Sequence, residues 1–267
     1  MNSKILSLKE EELCKILLKK EQKTITEDST IIIDSHIKLA LNVLEDVTIT
    51  IIHQSECFAR VELLIERNKS VKLREIITHN NAKYKRKAHQ DPYSTLLVSQ
   101  IISGGEYIKT DSYLKEKSTY NLTSAYYGNQ LDLIIVNSST HLERESNSNL
   151  IINGAAKESK IYNDGIVSIR DAADDCSGHQ HIKNIVLDSK TTITSEPILE
   201  ISNHNVSCSH GASTSKLDPE ILLYSNSRGI DSQKATQLAL EGFFHKALEL
   251  TSMKEEDMEN IISKVFS

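Results

Sequence analysis

The chain has 267 residues, 39% of them hydrophobic and 25% charged, which excludes a disordered chain and fits one large domain with an appendage or two small domains. A formal charge of −6 argues against nucleic acid as the main partner. No apolar run approaches the roughly 20 residues of a membrane span.

The N-terminal stretch MNSKILSLKEEELCKILLKK predicts a helix over residues 7 to 20. Ser7 and Glu10 have capping-box spacing, and Leu13, Ile16 and Leu17 would share one face. The stretch lacks the uninterrupted apolar core of a secretory signal. Cys14, Cys57, Cys176 and Cys208 form no C-x-x-C pair. Free thiols without an export signal point to a reducing, cytoplasmic compartment.

From about residue 23 the hydrophobic period changes from helix to strand. TIIID, VTITIIH, VELLI, VKLREII, TLLVSQII, LDLIIVN, NLIING, GIVSI, NIVLD and TTITSEPILEI follow one another. They are short and β-branched and partly alternate, as Val47, Ile49 and Ile51 do against Thr48 and Thr50. Asn, Ser, Asp and His fill the gaps, with few glycines or prolines. No convincing helix pattern lies between them, which excludes an ordinary α/β sheet built on crossover helices. A sandwich, a barrel or a β-helix remains, and the lack of a strict repeat leaves that choice open.

After residue 217 the pattern is helical again. Asp218 is placed to cap, Pro219 fits the first helical position, and Gly229 fits the left-handed position that ends the helix. Asp231 caps a second helix with Ala235, Leu238, Ala239, Gly242 and Phe243 on one face. Ser252 and Glu255 repeat the capping-box spacing before Met258, Ile261, Ile262 and Val265. The expected organisation is an N-terminal helix over 1–22, a β core over 23–216 and a C-terminal helical segment over 217–267.

Two stretches concentrate metal-ligand chemistry. In NVSCSHGA an extended backbone would turn Cys208 and His210 to one face and Ser207 and Ser209 to the other. A thiolate and an imidazole on one face suit a soft or borderline transition metal or a share in an iron–sulfur cluster. They supply two ligands, so a full site needs more from elsewhere. The alternative is a small buried cysteine beside a hydrogen-bonded histidine. The second stretch, DDCSGHQH, carries Asp174, Asp175, Cys176, His179 and His181 and reads as an exposed polar turn. KYKRK, residues 83 to 87, reads as a solvated loop. Neither G-x-S-x-G nor a P-loop occurs.

The ordered string CSHGA, TSKLDPE, ILLYSNSRGID and EGFFHKALE resembles the C-terminal core of the SufB/SufD family of iron–sulfur cluster assembly proteins. NDGIVSIRDAADDCSGHQHIKNIVLDSKTTITSEPILEI is similar to the family's last β-helix turns. The resemblance implies a mainly β fold, a right-handed parallel β-helix flanked by helices. It implies a non-enzymatic scaffold in a SufBCD-type complex, pairing with a SufB-like subunit or a second copy of itself. A SufC-like ATPase would dock on the C-terminal helices. The cofactor implied is an iron–sulfur cluster, held transiently and shared with the partner subunit, with none bound permanently. No nucleic acid or membrane partner is implied. Ser209-His210-Gly211 looks like the SufD branch. The family's SufB branch places a cluster cysteine six residues before a proline, and here Thr191 precedes Pro197 at that distance. Ser213 to Lys216 looks more like SufB. A short SufD-like subunit is the reading adopted. It makes His210 a cluster-site residue and metal ligand, with Cys208 a weaker candidate. Leu222, Tyr224, Phe243 and Phe244 are the expected ATPase-docking anchors.

Two other functions are compatible with the residues alone. A β-helix carbohydrate-active enzyme would need a surface pair of carboxylates and usually an export signal. A stand-alone metal-binding protein would combine Cys176, His179, His181, Cys208 and His210. The terminal helices are also placed to cap the ends of a stacked β body.

Overall fold

In the computed structural model, residues 18–248 are described. Most of the expected N-terminal helix, with Ser7, Glu10, Leu13, Ile16 and Leu17, lies outside them, as does the helix expected after Ser252. Residues 19–22, assigned to that first helix, belong instead to a strand. The long side chains of Lys19 to Lys23 alternate along an edge strand as readily as around a helix.

Strands alternate between two sheets. One contains β1 (Lys19–Ile25), β3 (Ile37–Val43), β5 (Phe58–Ile65), β7 (Lys83–Gln90), β9 (Tyr107–Leu114), β11 (Asp132–His141), β13 (Lys160–Ile169) and β15 (Thr192–Thr194), with β16 (Ile198–Ile201) also on β13. The other contains β2 (Ser29–Ile33), β4 (Val47–His53), β6 (Ser70–Ile77), β8 (Thr95–Ile102), β10 (Thr119–Asn129), β12 (Asn147–Lys157), β14 (Cys176–Val186) and β17 (Val206–Lys216). Every pairing is parallel. The chain is a parallel β-helix of two facing sheets. The connection that a parallel pair needs is here a strand of the opposite sheet, which is why no crossover helix appears in the sequence.

Rungs lengthen along the chain. Lys19 pairs with Ile37, 18 residues on, whereas Lys160 pairs with Thr192, 32 residues on. This drift explains the missing sequence repeat. Inward positions stay in phase all the same. In β4, Val47, Ile49, Ile51 and His53 are buried and the residues between them half-buried. Stacked rungs merge these positions into one apolar core from Ile25 to Ile182. Each such buried side chain contributes about 1.5–3 kcal/mol.

One set of turns explains how so few glycines suffice. Asn68, Tyr93, Lys117, Glu145 and Asp175 all have φ between 54° and 64°. Each donates its N–H to a carbonyl of the next turn: Asn68 to Pro92, Tyr93 to Glu116, Lys117 to Arg144, Glu145 to Asp174 and Asp175 to Asn205. The left-handed conformation costs a side-chain-bearing residue about 1 kcal/mol or more, and this ladder of inter-rung hydrogen bonds holds it in place. Asn and Asp tolerate that region best, and they occupy two of the five positions.

Two helices follow the β body. α1 (Pro219–Ser227) is capped by Asp218, whose carboxylate accepts from the Glu220 N–H at 2.9 Å. Gly229 ends it at φ +80°. α2 (Ser232–Leu248) begins with Asp231 accepting from the Lys234 N–H at 2.9 Å. Both helices start where the sequence predicts. The buried face of α2 differs: Ala235, Leu240 and Phe244 are buried, while Leu238 is 43% exposed and Gly242 is exposed. That face lies on Ile101, Ala125 and Ala155, on the outer side of the second sheet, rather than over an end of the stack. Small residues on β10 and β12 create the seat. No helix among the described residues is long and apolar enough to cross a membrane.

Candidate functional site

β17 is the last strand of its sheet and, among the described residues, pairs only with β14. It is extended from Val206 to Lys216, so side chains alternate. Cys208 pairs with Gly178 and His210 with Gln180. Gly178 and Gln180 belong to the inward phase of β14, which also carries the buried Cys176, Ile182 and Asn184. Cys208 and His210 therefore share the core-facing side, and Ser207 and Ser209 face out, as the spacing predicts.

The two differ in burial. Cys208 is half-buried against the main core. Burial pushes its thiol up from the ordinary value, against a hydrogen bond with the Gly178 backbone that pulls it down. His210 is exposed. It faces the interior direction, but no further rung follows among the described residues to cover it.

Inward from His210 the core is polar. Gln180, 2% exposed, donates to the Ile198 carbonyl at 2.9 Å, and its Oε1 has no hydrogen-bond partner. Asn137 Oδ1 accepts from the Thr110 hydroxyl at 2.6 Å. Deeper still, the Glu75 carboxylate accepts from Arg86 Nε at 2.8 Å and the Tyr84 hydroxyl at 2.7 Å on Oε1, and from Gln100 at 3.0 Å on Oε2. Arg86 also donates to Ser112 at 3.2 Å and to the Tyr120 hydroxyl at 3.1 Å. Arg86 and Glu75 side chains are 0% and 1% exposed. Such a charge pair is tolerated in a core only when the remaining hydrogen-bonding capacity is met, as it is here. Burial and then Glu75 push the Tyr84 hydroxyl up, keeping it a donor.

KYKRK is therefore not a solvated loop but β7, with Tyr84 and Arg86 facing in. DDCSGHQH is likewise only partly a turn. Cys176 begins β14, 2% exposed, and accepts or donates a hydrogen bond with Ser146 at 3.3 Å. His179 faces outward, with Nδ1 2.7 Å from the Ser209 hydroxyl, and His181 is exposed on the same outer face. Cys176, Cys208 and His210 thus lie on one side of the sheet and His179 and His181 on the other. The five do not converge, and no group of three or more metal-ligating side chains occurs among the described residues. Thr191, at the position of the SufB-branch cysteine, donates its hydroxyl to Asp188 at 3.1 Å.

The expected docking anchors divide as well. Tyr224 is 64% exposed beside Leu223 at 71% and Ile221 at 44%. Leu222 lines a cleft of about 950 Å³ between the helices and the rung ends at Tyr127 and Leu187. Phe244, 4% exposed, and the half-buried Phe243 are taken up by the seat of α2 on the sheet, where aromatic bulk fills the space above Ala125 and Ala155.

Residues 16–243 match the family model "SUF system FeS cluster assembly, SufBD core domain". The chain belongs to the SufBD family. A SufBD family protein of Synechocystis sp. is 36% identical over 85 residues, 32% of this chain and 19% of the relative. SufB of Bacillus subtilis is 32% identical over 39% of this chain and 22% of the relative. SufD of Escherichia coli is 31% identical over 37% and 23%. The matched segment spans about a fifth to a quarter of these curated relatives. Identity to SufB and SufD is nearly equal, so these figures do not separate the two branches.

The buried network of Glu75, Arg86 and Gln100 escapes a reading of motifs. The signal is nevertheless present in VKLREII, where Val71, Leu73, Glu75 and Ile77 keep one phase. A carboxylate at an inward position demands a buried partner.

Proposed function

We propose that this chain is a non-enzymatic scaffold subunit, most like a short SufD, in a cytoplasmic SufBCD-type complex that assembles iron–sulfur clusters. The cluster is cargo, held transiently between this chain and a SufB-like subunit or a second copy. The observation that carries the reading is the place of His210. It lies on the core-facing side of the last rung, exposed at an open strand edge, with Cys208 the one ligand-type neighbour in phase on that strand. A single neutral imidazole ligates iron through one nitrogen, and the missing ligands must come from a chain that covers this end. The edge of β17 that β14 does not cover, among the described residues, is a natural surface for such pairing. Ile198 and Ile201, 37% and 43% exposed, would add apolar area at the same end.

ATPase docking is assigned to α1, through Tyr224 and its exposed neighbours, with Leu222 behind them. Phe243 and Phe244 support the surface by fixing α2. Co-expression with SufB-like and SufC-like partners tests the proposal. All three chains should co-elute, and Leu223→Asp with Tyr224→Asp should release the ATPase alone. If the ATPase is retained, the docking assignment is wrong; if no partner co-elutes with the unaltered chain, the scaffold reading is wrong.

A further inference from the structure

The last rung of the first sheet is broken. β13 pairs with β15 as far as Tyr162 and with β16 from Ile166 onward. Asn163, Asp164 and Gly165 therefore lie opposite Ser195, Glu196 and Pro197, which belong to neither strand. Pro197 has no N–H to offer, and the Glu196 N–H goes to the Asp164 carboxylate at 3.2 Å.

Beneath the break the core carries amides that pair incompletely. Asn163 and Gly165 are on the inward side of β13, and Asn137 lies one rung below Gly165. A Cβ added at Gly165 would lie 2.2 Å from Gln180 Oε1, so the bare glycine is what lets Gln180 reach across from the other sheet. Asn137, Asn163 and Gln180 are 0%, 0% and 2% exposed. Thr110 satisfies Asn137 Oδ1, and the Ile198 carbonyl satisfies Gln180 Nε2. Asn137 Nδ2, Gln180 Oε1 and both polar atoms of Asn163 have no hydrogen-bond partner. The Asn163 amide tempers the rise that burial imposes on the Tyr126 hydroxyl, yet neither of its polar atoms meets a partner at hydrogen-bonding geometry. Neighbouring polar groups are committed elsewhere: Tyr126 donates to Asn184 at 2.6 Å, and Asn184 donates to Ser195 at 2.9 Å and Thr214 at 3.2 Å.

We propose that this cluster of amides around Gly165 is a binding site for ordered water. At least one molecule accepts from Asn137 Nδ2 and Asn163 Nδ2 and donates to Gln180 Oε1. Buried polar groups pair with protein or with ordered water, and a buried water ordinarily makes about three such bonds. Neutral amide donors and acceptors in equal measure suit water rather than an ion, in contrast to the Glu75–Arg86 pair, which meets its needs within the protein. The break between β15 and β16 gives the water a route of exchange. Gln180 pairs with His210, so the hydrated cluster forms the floor of the open end of the stack. This assignment stands independently of the proposed function.

A high-resolution crystal structure of the full chain tests it. A density peak should lie about 2.7–3.2 Å from Asn137 Nδ2, Asn163 Nδ2 and Gln180 Oε1. Amides paired directly with one another and no peak would overturn the assignment, as would a peak with six or more oxygen ligands at about 2.3–2.6 Å, the mark of a cation such as calcium. Urea unfolding of Asn163→Leu is a second test. In a hydrated site the leucine displaces the water and strands Asn137 Nδ2 and Gln180 Oε1, so the ratio of unfolded to folded chain at fixed urea should rise about fivefold or more. In a dry site the same change removes two unpaired polar atoms, and an unchanged or lower ratio would therefore also overturn the proposal.

Discussion

Replacing Arg86 with Met should be among the most damaging single changes in the β body. The methionine keeps much of the aliphatic length, so the loss is chiefly the guanidinium. Glu75 then keeps the Tyr84 hydroxyl and the Gln100 amide but has no cation, at a site where its side chain is 1% exposed. Ser112 and Tyr120 each lose a hydrogen-bond donor as well. Removing one member of a buried ion pair costs about 3–5 kcal/mol. For a domain of this size that lowers Tm by about 6–20 °C. Urea unfolding of the full chain measures the loss as a lower midpoint at unchanged slope. Adding Glu75→Gln removes the stranded charge yet leaves an acceptor for Tyr84, so the double variant should recover at least about 2 kcal/mol. A loss below about 1 kcal/mol for Arg86→Met, or strictly additive effects, would refute the idea that charge compensation holds this part of the core together.

Gly154 faces in under Tyr126, and a Cβ there would lie 1.8 Å from the ring; Gly154→Ala should cost about 3 kcal/mol or more, seen as reduced soluble yield and an early thermal melt. Gln130 sits at φ 54°, so Gln130→Asn should raise stability by about 0.5 kcal/mol and Gln130→Val lower it by about 1–3 kcal/mol, both readable as midpoint shifts. Burial pulls His53 and His141 down to about 4. Because the unfolded chain binds their protons from about pH 6.5 downward, stability should fall from there to pH 4, each histidine removing about 2 kcal/mol by pH 5. Asp164, raised by burial to about 6, acts oppositely and returns about 1 kcal/mol over the same range. A denaturation midpoint that is flat or rising between pH 6.5 and 4.5 would contradict this balance.

The strand character of the chain was legible because β-branched residues alternate wherever one strand face is buried. Whole strands were hidden where polar residues occupy inward positions: Arg86 and Gln90 in β7, Thr110 and Ser112 in β9, Ser124 in β10. Their burial rests on hydrogen bonds made between rungs about 25 residues apart, which a local pattern does not contain. The outward burial of Phe244 was hidden for a related reason. Its seat consists of alanines on strands that are remote in sequence. Cys208 and His210 were placed on a common face by period alone, since a two-residue alternation survives any change in rung length. Their isolation from His179 and His181 follows from the same alternation, applied across the β14–β17 pair.

The central claim is that His210 serves a cluster shared between subunits, and it is tested most directly by the iron and acid-labile sulfide content of the assembled complex carrying His210→Ala. His210 is exposed and lies on the last strand of its sheet among the described residues. The variant should therefore co-elute with its SufB-like and SufC-like partners and melt within about 1 °C of the unaltered complex, as expected for a surface change within about 0.5 kcal/mol, while its iron and sulfide load falls sharply. A normal load in the His210→Ala complex would contradict the account, and early melting with failed assembly would show the residue to be structural.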